Sequence, residues 1–448
     1  MARISISRRA AHAILLAIEA DIAHSDDLLR EDPLMAAMSA ADRRLTTTLV
    51  MGVLRWQIQL DQQIRSFLSK PNAKLDPAVL ITLRIGAFQL LHLDRIPAHA
   101  AIDESVELTR HSGYRSATGL VNAVLRKLAR AAALAPEGRS SQAAAAHPAW
   151  MVDRWTKFFG ADTASAICLH DQNPPVPAIR LSAPAVEQEL VSAGITLSPG
   201  RLLSSARIVE SGDITATTAF RDGRVRQQDE GSQLVAELAA TMSGEPKRIL
   251  DSCTAPGGKT LILAERNPEA HIVACEASRP RMKQLRERLS VFGERIECRL
   301  ADATAFSFDS EFDVVLADVP CSGTGTLSRN PEIRHRLQPG DLSRQAERQR
   351  AILASALRAV RSGGRVIYST CSLEPEENEE VIAAVLAQNS NARAIPLAPT
   401  LEALRERNIL AAAGAESLQS VLTPQGFMLL IPGAFQTDGF FIAMIRKL

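Results

Sequence analysis

The sequence predicts a multidomain chain in three parts: an all-α domain over residues 1–140, a small α+β module over 148–240, and a C-terminal α/β domain over 241–448 with a doubly wound sheet. Three observations lead there. A length of 448 residues exceeds what one hydrophobic core usually organises. From Ser5 to about Arg130 apolar residues recur at helical spacing with almost no strand signal. After Lys247, short apolar runs alternate with helical stretches, the pattern of parallel strands joined by right-handed crossovers.

In the first part, AAHAILLAIEA (10–20), LTTTLVMGVLRWQIQLDQQIRSFL (45–68), AVLITLRIGAFQLLHL (78–93) and GLVNAVLRKLARAA (119–132) read as helices. Residues 131–146, rich in Ala, Gly and Ser, read as a linker ending at His147-Pro148. The middle part mixes a helix, AWMVDRWTKFFG, with the short β-branched pieces AIRLS, ARIVE and TATTAF, and ends on a helix, DEGSQLVAELAATM. The last part gives strands at RILDSC, HIVACEA, RIECRLAD, FDVVLADVP and GGRVIYSTC, separated by helices, and a closing strand at GFFIAMIRK.

Apolar residues make up 46% and charged residues 23% of the chain, a globular composition that excludes disordered and fibrous classes. The opening arginines and apolar run superficially resemble a secretory signal, but Glu19 and Asp21 close the run and its spacing suits an amphipathic helix. No stretch reaches the roughly 18 uncharged residues that span a membrane. The expectation is a cytoplasmic, monomeric protein without membrane contact. Cysteines at 168, 253, 275, 298, 321 and 371 form no C-x-x-C pair, which argues against zinc sites and a disulfide framework, so no metal is expected.

Asp251-Ser252-Cys253-Thr254-Ala255-Pro256-Gly257-Gly258-Lys259-Thr260 follows a strand and opens a helix. Glycines at that junction let backbone N–H groups approach a ligand closely, which suggests a nucleotide-like cofactor. A phosphate-binding P-loop would need glycine where Cys253 stands. Glu276 lies 25 positions after Asp251 at the next strand end, near the spacing at which an acid grips ribose hydroxyls. Asp302 and Asp318 end two further strands, so acids from successive strand ends converge on one crevice.

Cys321, in Asp318-Val319-Pro320-Cys321, and Cys371, in Ser369-Thr370-Cys371-Ser372, both lie just past strand ends that face this crevice. Their polar, loop-forming neighbours set them apart from Cys168, Cys275 and Cys298, which read as small core residues.

These motifs, in this order, resemble the Sun/Fmu-type RNA (cytosine-5) methyltransferases, including their 16S ribosomal RNA subgroup, from end to end. The C-terminal domain is then Rossmann-like and the first 130 residues, marked by ADRRLTTTLVMGVLRW and LRIGAFQLLHLDRIPAHAAIDESVELTR, are similar to the NusB-type RNA-binding domain. The resemblance implies S-adenosyl-L-methionine as cofactor, held by Cys253, Thr254, Ala255, Pro256, Gly257, Gly258 and Lys259, with Glu276 on the ribose, Asp302 near the adenine and Asp318 near the reaction centre. It makes Cys371 the nucleophile and Cys321 the residue that assists release of methylated RNA. The family motif usually has alanine where this chain has Thr254. Asp438-Gly439-Phe440-Phe441 matches the closing motif, and its aromatics read as core.

Carbon 5 of cytosine is a poor nucleophile, so a thiolate must first add to carbon 6. Charge that develops on the ring can be answered at N3 by a carboxylic acid, for which Asp318 is the candidate. Reaching carbon 5 requires an unpaired or flipped-out base. For phosphate contacts the sequence offers Arg3, Arg8 and Arg9, the run RPRMKQLRER, and above all the loop from Ser322 to His335. A DNA cytosine-5 enzyme would need a Glu-Asn-Val partner that is not found here. A tRNA substrate and a non-catalytic RNA-binding or antitermination factor remain as alternatives.

Overall fold

The computed structural model describes residues 4–22, 25–134, 143–241 and 244–448. Arg3 and half of the predicted linker, 135–142, lie outside the described residues. The chain divides into two compact units, one comprising residues up to 174 together with 327–336, the other 175–326 with 337–448.

The first unit is helical throughout its described residues. Its long helix, Ala40–Ser66, starts where the Ser39 hydroxyl accepts from the Asp42 N–H at 3.1 Å. The next, Pro77–His92, begins with proline at its first position and an Asp76 side chain accepting from Ala78 N–H at 2.9 Å. That second helix is apolar around its circumference, as a helix enclosed by others must be, and residues 81–89 are all buried. Ile6–Glu19, Ala98–His111 and Thr118–Leu134 pack their apolar faces into the same core. Arg8 is part of it: its guanidinium donates to Gln89 at 2.8 Å and pairs with Glu104 at 3.1 Å.

The second unit carries two sheets. The smaller joins β1 (Ala178–Leu181), β2 (Thr196–Pro199), β3 (Ala206–Ser211) and β4 (Val225–Gln227) in the order β2-β3-β1-β4, all antiparallel. TATTAF, expected as a β piece, is instead two short helical turns, Ile214–Ala216 and Thr218–Arg221. Thr217 caps the second turn by accepting from Phe220 N–H at 3.2 Å. Threonine's hydroxyl competes for backbone donors, and here that local bond outweighs β propensity.

The larger sheet contains β5 (Arg248–Asp251), β6 (His271–Glu276), β7 (Ile296–Leu300), β8 (Phe312–Asp318), β9 (Val360–Thr370), β10 (Ala392–Ile395), β11 (Met428–Leu430) and β12 (Phe440–Lys447). Its order is β10-β12-β9-β8-β5-β6-β7, with β11 also pairing β12. Strands β5 to β9 pair in parallel, as the β/α alternation predicts. The sheet as a whole is mixed, because β12 runs antiparallel to β9, β10 and β11. Successive residues of each central strand enter opposite cores: Ile249, Ile272, Val314 and Ile367 one, Leu250, Val273, Val315 and Val366 the other. Both faces are covered by helices, which is why these strands read as unbroken apolar runs. Among the described residues no helix is long and apolar enough to cross a membrane.

The small sheet is fixed to the helices beside β5 by buried ion pairs. Arg180 of β1 meets Glu237 at 2.8 Å and Glu265 at 3.1 Å, and Arg266 binds the other side of Glu237 at 2.8 Å.

Candidate active site

The sheet order reverses between β5 and β8: from β5 the chain proceeds to β6 and β7 on one side, and from β8 to β9 on the other. Ligands of doubly wound sheets bind outside the carboxyl ends of the strands at such a point. Asp251, Glu276 and Asp318 are the last residues of β5, β6 and β8, and Asp302 follows β7 by two residues.

The loop after β5 turns at Gly257, whose φ of +97° is left-handed and suits glycine, and Gly258 opens the helix Gly258–Arg266. A cleft lies against this loop. Cys253, Thr254, Ala255, Pro256, Gly258, Lys259 and Asp318 line it, as the sequence predicts. Gly257, Glu276 and Asp302 do not. Glu276 accepts from the Ser278 N–H at 2.7 Å, and Asp302 accepts from Thr304 N–H and hydroxyl at 2.9 and 2.8 Å, so both stand at strand ends as turn-forming carboxylates.

Five further residues complete the cleft: Gln227, Gln228, Ser232, Asp251 and Arg288. Gln227 and Gln228 end the small sheet and immediately precede a helix whose N-cap is Asp229, a boundary legible in the sequence although the glutamines' role was not. Asp251 is 1% exposed; its Oδ2 accepts from the Thr260 hydroxyl at 2.7 Å, whereas Oδ1 is buried with no partner at hydrogen-bonding geometry. Burial pushes its carboxyl up to about 6, against the hydrogen bond from Thr260. A buried carboxylate in the lining of the cleft fits a cationic or N–H-bearing ligand.

Lys259 Nζ donates to Asp318 Oδ2 at 2.6 Å and lies 5.6 Å from the Phe440 ring centroid. Burial opposes this ammonium, yet Asp318, with Cys371 and Asp251, holds its pKa above the usual value. The second oxygen of Asp318 accepts from the Ser369 hydroxyl at 2.6 Å.

Cys321 and Cys371, 50 residues apart in sequence, bring their sulfurs to 3.2 Å. Both are half-buried, whereas Cys168 and Cys275 are fully enclosed. The hydrogen bond with Cys371, then burial, then the nearby negative charge of Cys371 and Glu377 push the Cys321 thiol well above its ordinary range. Phe440 and Phe441 are 5% and 0% exposed, core residues as expected.

The loop from Ser322 to His335 differs from its expectation as a phosphate-holding segment. Residues 327–336 belong to the helical unit, where Arg334 is 1% exposed and donates to the carbonyls of Arg55 at 3.1 Å and Ala146 at 3.2 Å. A guanidinium enclosed among backbone carbonyls has no face left for a phosphate. Arg8 is withdrawn in the same way by Gln89 and Glu104.

Residues 240–446 match the model of the family described as 16S rRNA methyltransferase RsmB/F, and residues 5–130 match the NusB family. The chain is 32% identical to a probable ribosomal RNA small subunit methyltransferase B of Bacillus subtilis, over 97% of each chain. It is 36% identical to ribosomal RNA small subunit methyltransferase B of Pseudomonas putida, over 83% of this chain and 88% of that one. The crystal structure of PH0851 superposes over the full length of both chains with a TM-score of 0.79 at 23% identity, which shows the fold.

Proposed function

The chain belongs to the 16S rRNA methyltransferase RsmB/F family, and from that premise we propose that it methylates carbon 5 of a cytosine in 16S ribosomal RNA through a bond between Cys371 Sγ and carbon 6. It is an RNA methyltransferase whose cofactor is S-adenosyl-L-methionine. The observation that carries the cytosine reading is the 3.2 Å pair of thiols beside the Lys259–Asp318 ion pair at the mouth of the cofactor cleft.

The cleft fits the cofactor. Asp251 would receive its ammonium and the Cys253–Lys259 loop its methionine portion, and Glu276 and Asp302, at neighbouring strand ends, would take the ribose and the adenine. The bound cofactor supplies an electrophilic methyl group.

Cys371 adds to carbon 6 as the thiolate, and the electron pair it pushes into the ring makes carbon 5 nucleophilic. Lys259 stabilises negative charge near this sulfur. Asp318, oriented by its bonds to Lys259 and Ser369, is the candidate to answer the charge at N3 with a proton or hydrogen bond. After methylation, the carbon 5 proton passes to a water molecule, its electron pair re-forms the ring double bond, and Sγ of Cys371 leaves carbon 6. Cys321, whose sulfur lies 3.2 Å from that of Cys371, donates to the departing sulfur and eases release. The target base is unpaired or flipped out, the enzyme acts as a monomer, and its workplace is the cytoplasm.

Methyl transfer to cytosine-containing RNA tests this reading. Cys371→Ala should abolish transfer, whereas Cys321→Ala should accumulate a covalent protein–RNA adduct resolved on a denaturing gel. Transfer that survives Cys371→Ala refutes the nucleophile assignment. Bisulfite mapping of ribosomal RNA from a strain lacking the gene tests the substrate, and an unchanged small-subunit profile would point to tRNA instead. A full-length chain with no methyl transfer at all would favour the non-catalytic alternative.

A further inference from the structure

We propose that Glu377 is a positioning residue that locks the two cysteine loops in register, and so sets the sulfur–sulfur separation on which methyl transfer depends. The inference rests on the paired-thiol reading above. Cys321 and Cys371 are each followed by a serine, and both serine hydroxyls, Ser322 and Ser372, donate to the same oxygen, Glu377 Oε2. The other oxygen accepts from the Ser322 N–H at 2.9 Å and from Gln349 Nε2 at 2.9 Å. Gln349 also donates to the carbonyl of Pro320, the residue before Cys321, at 2.9 Å. One carboxylate therefore gathers donors from both loops, and the serine oxygens it brings together are 3.1 Å apart, a separation close to that of the sulfurs beside them.

Glu377 is 0% exposed, so the carboxylate cannot exchange these donors for water. A buried carboxylate without them would be strongly unfavourable. The surrounding backbone repeats the coupling. Asn378 Nδ2 donates to the Ser372 carbonyl at 2.9 Å, and Thr324 Oγ1 accepts from the Leu373 N–H at 2.9 Å. Glu377 does not line the cleft; it reaches the cysteine loops through its bonds to Ser322 and Ser372, beside the effect of its charge on Cys321.

The test uses the full-length protein with Glu377→Gln and, in case that variant fails to fold, Ser372→Ala. Two readouts are taken that simple loss of stability would not move selectively. One is the rate at which phenylarsine oxide, which bridges two adjacent thiols with loss of one water, cross-links Cys321 to Cys371 in the absence of RNA. The other is single-turnover methyl transfer beside the affinity for S-adenosylhomocysteine. The expected result is bridging slowed at least tenfold and methyl transfer slowed at least thirtyfold, with S-adenosylhomocysteine affinity within twofold of wild type. Unchanged bridging, bridging slowed without loss of methyl transfer, or a parallel collapse of S-adenosylhomocysteine affinity would each overturn the proposal. Failure of the paired-thiol reading shows separately, as methyl transfer that persists in Cys371→Ala.

Discussion

Gly325 gives the most direct check on whether the two cysteine loops must touch. Its N–H donates to the Cys371 carbonyl at 2.9 Å and its carbonyl accepts from Gly439 N–H at 2.7 Å. A Cβ placed there would lie 2.7 Å from the Gly439 oxygen and 2.9 Å from the Cys371 oxygen. Ordinary carbon–oxygen approach stops at roughly 3.3 Å, so backbone on at least one side must retreat by about 0.5 Å. Overpacking of this kind costs about 1–3 kcal/mol. Loss of two backbone hydrogen bonds adds about 1 kcal/mol each, for a total of about 3–5 kcal/mol in Gly325→Ala. The atoms that must give way belong to Cys371 itself and to the residue leading into β12. A displacement approaching 1 Å beside a reacting group costs up to ~10²-fold in rate. Single-turnover methyl transfer and thermal unfolding are measured beside Gly340→Ala. Gly340 has no neighbouring atom within 4 Å of its Cβ position and sits near the start of the helix Pro339–Ala359. That control should gain about 0.5–1 kcal/mol and keep full activity. A Gly325→Ala enzyme with a rate within twofold of wild type would refute the argument.

Three further outcomes follow from buried charge. Asp251 has a folded-state pKa of about 6 against a usual value near 3.9, so its burial penalty is absent below pH 4 and complete above pH 6, about 3 kcal/mol. Asp251→Asn should therefore raise the melting temperature at pH 7.5 while weakening S-adenosylhomocysteine at least tenfold by calorimetry; unchanged affinity would remove Asp251 from the cofactor site. His335, held down to about 4 by burial against its 2.7 Å bond to the Leu54 carbonyl, contributes stability that is complete above pH 6.5 and lost as pH falls through 4. His147 shifts in the same direction, so the helical unit should melt markedly lower at pH 5 than at pH 7.5, and His335→Gln should reduce that difference by about 2 kcal/mol. Arg334→Ala strips donors from enclosed carbonyls and leaves a void, at a cost of about 3–5 kcal/mol. Hydrogen exchange should locate that loss in Ala40–Ser66, and unchanged protection there would refute it.

How legible each feature was depends on how local its cause is. Strands β5 to β9 announce themselves because burial on both faces makes each an apolar run, and the Gly257 turn because only glycine suits its φ. Strands β2, β4, β10 and β11 went unread: each is three or four residues long, too short to show alternation. TATTAF misled because a single Thr217 capping bond reverses the preference of its threonines. At the site, residues within the glycine loop were readable. Gln228 and Arg288 were not, since they reach the cleft from elements separated from that loop by sequence and joined to it only in three dimensions. Glu377 carries no signature that distinguishes it from the acids around it in Glu374-Pro375-Glu376-Glu377; only burial and its donors do.

The loop after Cys321 shows why linear reading of charge fails most sharply where a chain serves two cores. Arginines clustered just past the Pro320-Cys321 motif suggest a phosphate grip, and the inference is sound for a solvated loop. Yet residues 327–336 complete the helical unit. Arg55 Nη2 donates to the Ser328 carbonyl at 2.7 Å, Ser25 donates through its N–H and hydroxyl to Glu332 at 3.0 and 2.9 Å, and the Leu54 carbonyl accepts from His335. Each of these buried groups would lose its partner in a fragment that ends at residue 174, and an unsatisfied buried polar group costs about 1–3 kcal/mol. Fragment 1–174 should accordingly unfold at lower denaturant than the helical unit does in the intact chain. A peptide spanning 327–336, added in trans, should restore part of the difference, and the same peptide carrying Arg334→Ala should not. Equal stability of the fragment and the intact unit would mean that the segment is a passenger rather than part of that core.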